Sequence, residues 1–296
     1  MRQRNRFAAK SLRQEGKLAA MRMRLSVAIA DEYADTSAFV VWRGFEDSIR
    51  KAKAYGYQGV ELALKGCDDV KGVNLDRLLS QHQMEVSCIS TGQVFSARGL
   101  FFTNPDASAQ KSITEIFIGL IDLAKNYGCA VNIGRARGYV AHGRSLEQTK
   151  SQFASAFIPV CAYAEKQSVT LIIEPVNRYE INFINTIDQG ADLIRTIPFK
   201  NIGLMPDVFH MNIEEVGMAD SLIKHAPDIR YIHFADSNRH YPGGGHLDFH
   251  EVFRALQSID YQGWGSVEIL PLPTPDIAAE KAASYLLPLM AKYGSK

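Results

Sequence analysis

Eight times along this chain a short β-type run is followed by a longer amphipathic stretch, and no other feature restricts the fold as much. The runs are RLSVAIA (24 to 30), QGVELAL (58 to 64), VSCIS (86 to 90), CAVNIG (129 to 134), VTLIIE (169 to 174), IGLMPD (202 to 207), IRYIHFAD (229 to 236) and WGSVEI (264 to 269). Apolar spacing predicts helices around 44 to 55, 74 to 82, 107 to 127, 146 to 166, 187 to 196, 215 to 225, 249 to 258 and 276 to 291. A strand followed by a helix of that length returns to a parallel neighbour by a right-handed crossover, so the class is α/β with a parallel sheet.

Eight such units within 296 residues favour a closed (β/α)8 TIM barrel over an open doubly wound sheet. A nucleotide-binding open sheet would show a phosphate loop. Here RARGYV lacks the G-x-G-x-x-G spacing, and no G-x-x-x-x-G-K-[ST] occurs. No linker rich in Pro, Ser or Gly interrupts the alternation, so residues 24 to 296 read as a single barrel domain. Residues 1 to 23, where Arg2, Arg4, Arg6, Lys10, Arg13 and Lys17 face only Glu15, read as a disordered basic tail.

Parallel barrel strands end on one rim, which makes the residues at their C-terminal ends a potential site. Four successive units of the C-terminal half place a metal-capable group there: Glu174, Asp207, His233 and Glu268. Each has an ordinary reading by itself. Glu174 could pair with Arg178, Asp207 could cap a turn after Pro206, and His233 could be a satisfied core histidine. Four at equivalent places point instead to one divalent cation. Three oxygen donors and one imidazole suit Mn²⁺, Co²⁺ or Mg²⁺, whereas zinc usually brings more His or Cys. The partner that must orient the His233 ring cannot be identified from sequence.

Further polar groups follow the same strands: Glu180 after Glu174, His210 after Asp207, and Arg239 in FADSNRHYPGGGHLD. In loops beyond the ligand strands they are expected to contact substrate. Arg98, Arg135, Arg137 and Arg144 are candidate cations for a substrate carboxylate. The formal charge of +1 gives the body no field to draw it to nucleic acid or an anionic membrane. No apolar run reaches the roughly 20 residues that a membrane-spanning helix needs. Cys67, Cys88, Cys129 and Cys161 are widely spaced without a C-x-x-C, which suits reduced thiols in a cytoplasmic protein.

The segments EPVNRYEINFINT, DVFHMNIEEV, HFADSNRHYPGGGHLDF and SVEILPLP resemble the sugar isomerase and epimerase superfamily with xylose-isomerase-like barrels, in particular its D-tagatose 3-epimerase group. The resemblance spans residues 25 to 293. ISTGQVFSARGLFFTNPD is similar to the 5-keto-L-gluconate epimerases of that group. What this implies is a metal-dependent epimerase in which Glu174, Asp207, His233 and Glu268 hold one metal, Mn²⁺ foremost. Glu174 and Glu268 double as the catalytic acid and base, while Glu180, His210 and Arg239 bind the carbonyl end of the substrate. The implied reaction inverts the carbon beside the keto group of a ketose or keto-hexonate, of the 5-keto-L-gluconate or D-tagaturonate type. It proceeds by removal and return of a proton through an enediolate.

A neutral ketohexose 3-epimerase of the D-tagatose or D-psicose type is the next reading, followed by an aldose–ketose isomerase or an inosose dehydratase. The resemblance also implies a homodimer or homotetramer acting on a small-molecule sugar or sugar acid. A related fold serves abasic-site endonucleases, which need several metals and a basic groove that this near-neutral body lacks. A non-catalytic sugar-binding barrel would not need both Glu174 and Glu268.

Overall fold

The computed structural model describes residues 22–36 and 39–294. Residues 1–21, most of the expected basic tail, lie outside the described residues. The strands are β1 (Arg24–Ala30), β2 (Trp42–Arg43), β3 (Gly59–Ala63), β4 (Glu85–Ser90), β5 (Ala130–Asn132), β6 (Leu171–Ile173), β7 (Ile202–Leu204), β8 (Tyr231–Phe234) and β9 (Trp264–Val267). They pair in the order β7-β6-β5-β4-β3-β1-β9-β8, every pair parallel, with the two-residue β2 added to β1.

The remaining seam lies between β7 and β8. Pro206, just past β7, has no N–H to continue a ladder. Parallel bridges Leu204 to Ile229 and Asp207 to His233 join the edges instead. Arg230 N donates to the Leu204 carbonyl at 3.0 Å, and His233 N donates to that of Pro206 at 2.9 Å. The expected (β/α)8 class is therefore observed as a nearly closed eight-stranded parallel barrel.

Helices Phe45–Ala54, Leu75–His82, Ala107–Tyr127, Leu146–Lys166, Ile187–Arg195, Met218–Lys224 and Phe249–Ser258 return the chain between ring strands, and Pro275–Gly294 follows the last of them. Their ends follow local chemistry. Ser145 Oγ accepts from Gln148 N at 3.1 Å while Gln148 Oε1 accepts from Ser145 N at 2.9 Å, a reciprocal cap that opens Leu146–Lys166. Gly128, at φ 62°, closes Ala107–Tyr127 in the left-handed conformation that glycine adopts without penalty. Two short helices were not anticipated by the periodicity: Gly92–Ser96 after β4 and Val208–Glu214 after β7.

Alternation along the strands divides the interior. In β1, Leu25, Val27 and Ile29 join the large apolar cluster between strands and helices. Ala28 and Ala30, from the same strand, pack with Ala63 at the end of β3. Cys88, Ile172, Met205 and Tyr231 form a separate cluster within the ring. Of the three alanines, Ala63 borders a cavity that Glu174 and Glu268 also line.

Candidate active site

The four residues singled out by position come together. Glu174 is the first residue after β6, Asp207 follows β7 by three, His233 lies within β8, and Glu268 is the first after β9. One donor atom from each lies within 4.8 Å of the others; Glu268 is half-buried and the rest are buried.

His233 is the centre of this geometry. Its Nδ1 lies 3.4 Å from Glu174 Oε1, 3.5 Å from Glu268 Oε2 and 3.6 Å from Asp207 Oδ2. That nitrogen is buried and has no hydrogen-bond partner. An orphaned imidazole nitrogen facing three carboxylate oxygens is the donor set that a divalent cation would satisfy, and the residues fit such a group. Burial would lower the basicity of the ring, but the carboxylates of Glu61, Glu268, Asp207 and Glu174 push it well above the ordinary histidine value.

Asp207 is oriented by the helix it starts. Its Oδ1 accepts from Phe209 N at 2.8 Å, capping Val208–Glu214, which leaves Oδ2 turned to the cluster. Arg239 Nη1 donates to Oδ2 at 2.8 Å, and Arg239 Nη2 donates to Glu268 Oε2. Burial would raise the Asp207 carboxyl, yet Arg239, His210 and His233 hold it far below the usual carboxylate range. The Arg239 guanidinium also sits 4.8 Å from the ring centres of both Phe39 and Phe209. Arg239 thus braces two carboxylates of the cluster while bordering the cavity.

His210 and Glu180 are linked through Asn177. The Asn177 amide donates to Glu180 Oε1 at 3.1 Å and lies 2.8 Å from His210 Nδ1. If the amide nitrogen donates to both, Nδ1 is an acceptor and the Nε2–H of His210 points towards Glu174 and Asp207, at 3.8 and 4.0 Å. Burial pushes the His210 imidazole down to about 4, so it stands neutral near pH 7. Burial raises the Glu180 carboxyl, partly offset by Arg239 and Arg135. A cavity opens beside Glu174, Glu180, His210, Arg239 and Glu268, lined also by Phe39, Ala63, Ser90, Gln93, Ser96 and Arg135.

The candidate carboxylate-binding arginines do not act together. Arg137 is fully buried and donates to three backbone carbonyls: Phe183 at 2.7 Å, Gly134 at 2.6 Å and Ile184 at 2.8 Å. Arg144 is bonded to Gln152, and Arg98 lines a different hollow beside Cys67. Arg135 alone of the four borders the cavity, with Nη1 3.8 Å from Glu180 Oε2. Arg178, the ordinary partner considered for Glu174, is bound to Glu214 at 2.6 Å.

Three buried polar residues near the cluster were not singled out by the sequence. Both oxygens of Glu61, in β3, lie 3.0 Å from His233 Nε2. Asn132 Nδ2 donates to Glu174 Oε2 at 3.1 Å. Asn177 is the third. Glu61 carried a readable signal, an acidic residue inside the apolar strand GVELA, which is the signal that marked Glu174. Next to Asn132, Gly134 holds a left-handed φ of 44°, and a Cβ there would come within 3.5 Å of Glu174 Oε2.

The chain is 27% identical over 232 residues to a probable ketose 3-epimerase of Synechocystis sp., covering 77% of this chain and 79% of the relative. It is 37% identical over 117 residues to the D-psicose 3-epimerase of Enterocloster bolteae, covering 40% of this chain and 39% of that protein. Among solved structures, an L-ribulose 3-epimerase superposes with a TM-score of 0.76 at 23% identity, covering 92% of this chain and 95% of that one, a likeness of fold. Residues 49–288 match the model of one family. With 240 of its residues in that match and a parallel barrel carrying the site at the strand ends, the chain belongs to the xylose isomerase-like TIM barrel family.

Proposed function

We propose that the protein is a metal-dependent epimerase that inverts the carbon beside the keto group of a ketose or keto-hexonate. The observation that carries this reading is the cluster of Glu174, Asp207, His233 and Glu268 around an unpartnered Nδ1, with Glu174 and Glu268 lining a cavity. Those four residues would hold one divalent cation, Mn²⁺ foremost with Co²⁺ and Mg²⁺ as alternatives. Bound there, it would draw charge from the keto group and ease loss of the neighbouring carbon-bound proton.

The chain's own groups divide the remaining work. Glu174 and Glu268 come from the outer two of four adjacent strands, β6 and β9, so they flank the site from two sides. One removes the proton and the other returns one to the opposite face, exchanging roles with the direction of reaction. His210, held neutral and fixed by Asn177, offers an N–H to a substrate oxygen. Glu180 and Arg239 bind the carbonyl end, and Arg239 also keeps Asp207 ionised.

Two observations favour a neutral ketose over a keto-hexonate. Of the four arginines considered for a carboxylate, three are engaged away from the cavity, and Arg135 faces Glu180. The relatives carry the names ketose 3-epimerase and D-psicose 3-epimerase. A cytoplasmic setting and a homodimer or homotetramer belong to the same reading; four unpaired cysteines are compatible with a reducing compartment.

The test is incubation with Mn²⁺, Co²⁺ or Mg²⁺ and D-psicose, D-tagatose, D-fructose, 5-keto-L-gluconate or D-tagaturonate, followed by NMR and mass spectrometry. A metal-dependent product of unchanged mass, inverted beside the keto group and formed faster from the neutral ketoses, is expected. Loss of water would replace the epimerase by a dehydratase, an aldose product by an isomerase. No conversion of any substrate would overturn the assignment.

A further inference from the structure

We infer that Glu61 is a positioning residue of the metal site, fixing the His233 ring so that its Nδ1 lone pair faces the three carboxylates. This rests on reading the cluster as a metal site.

Glu61 lies in the middle of β3 and is fully buried, as is His233. A buried carboxylate is costly unless it collects hydrogen bonds, and this one does. Besides the His233 nitrogen, it accepts from the Tyr231 hydroxyl at 3.0 Å through Oε2 and from the Ser90 hydroxyl through Oε1. Tyr231 OH is itself 2.7 Å from Ser87 Oγ and 3.0 Å from Ser26 Oγ. Side chains from β4 and β8 therefore meet the Glu61 carboxylate directly, and Ser26 of β1 and Ser87 of β4 support it through Tyr231. Such a net holds Glu61 in place from several directions.

The chemistry of the contact decides the orientation of the ring. An ionised carboxylate can only accept, so a neutral His233 bonded to it must carry its proton on Nε2. Its free lone pair is then on Nδ1, the nitrogen that meets Glu174, Asp207 and Glu268 at 3.4 to 3.6 Å. A glutamine at position 61 has nearly the same size and no charge. Turned so that its amide donates to Nε2, it would move the ring proton to Nδ1, where it would point at the cation position.

The experiment measures Co²⁺ binding by calorimetry and by the visible absorption of bound cobalt, using the whole chain and Glu61→Gln. In Glu61→Gln the dissociation constant is expected to rise roughly 10- to 100-fold, the range for lost outer partners of metal-bound histidines. The cobalt spectrum should change, while the metal-free unfolding midpoint stays close to the parent's. Parent-like affinity and spectrum in Glu61→Gln would overturn the inference and leave the functional reading standing. A parent chain that binds no Co²⁺ would instead remove the metal site, and the functional reading with it. Should Glu61→Gln not fold, nitrogen NMR of His233 in the Mg²⁺-loaded parent decides: an Nε2–H ring is expected, and an Nδ1–H ring overturns the assignment.

Discussion

A buried ionisable side chain reveals its task by its partners, and here those partners separate groups that meet the carboxylate cluster from groups that hold the backbone. His210 and Arg239 contact the cluster or its cavity, whereas Arg137 spends its hydrogen bonds on backbone carbonyls. The cysteines give a test of the interior that is independent of activity. Burial pushes the Cys129 and Cys161 thiols up to about 12 and that of Cys88 well above its ordinary value, while Cys67 is exposed. Thiolate is the reactive form, so at pH 8 iodoacetamide should modify Cys67 in the folded protein and spare the other three. Peptide mass spectrometry reads the outcome; early labelling of Cys88 would mean that the ring interior is more open than described. Sequence position was enough to find Glu174, Asp207, His233 and Glu268, because each sits at or near a strand end where parallel strands must share a rim. It did not identify Glu61 or Asn177: the acid inside GVELA could be noticed, but that Glu61 meets His233 and Asn177 meets His210 is decided only by the fold.

Among the elements, those with several helical turns or a full apolar run could be read from the chain, whereas two short helices and a two-residue strand could not. Helices Ala107–Tyr127 and Leu146–Lys166 occur where the spacing put them. Gly92–Ser96 and Val208–Glu214 begin directly in the loops after β4 and β7, and β2 exists only through its pairing with Ile29 and Ala30. Two substitutions test how the elements are held. Ser145→Ala removes one half of the reciprocal cap and is expected to cost about 1 kcal/mol in urea unfolding. Arg137→Met should cost more, about 3 kcal/mol or above, because three buried carbonyls lose their donor and the 134–138 loop is released from Phe183 and Ile184. An Arg137→Met protein as stable as the parent would show that this guanidinium is not the staple between the two loops.

At the scale of the whole molecule, the ring delivers four side chains from four adjacent strands to one point, and a cavity bordered by Ala63 of β3 lies beside Glu174 and Glu268. The site is therefore a property of closure at the β7–β8 seam, where Asp207 bridges to His233. A cation held there binds only the folded chain. At a hundredfold excess over its dissociation constant it should add about 2.7 kcal/mol of stability. Calorimetric scans with Mn²⁺ against scans with a chelator should then differ by several degrees. An unfolding midpoint indifferent to Mn²⁺, Co²⁺ and Mg²⁺ would argue against a preformed site.

The most direct test follows the carbon-bound proton. With the metal-loaded protein in D₂O and a ketose that it converts, the product should carry one deuterium at the inverted carbon, by NMR and mass. Glu174→Gln and Glu268→Gln should each abolish inversion while keeping the barrel fold. Inversion without deuterium, or undiminished inversion in either variant, would contradict the assignment of these two carboxylates as the acid and base.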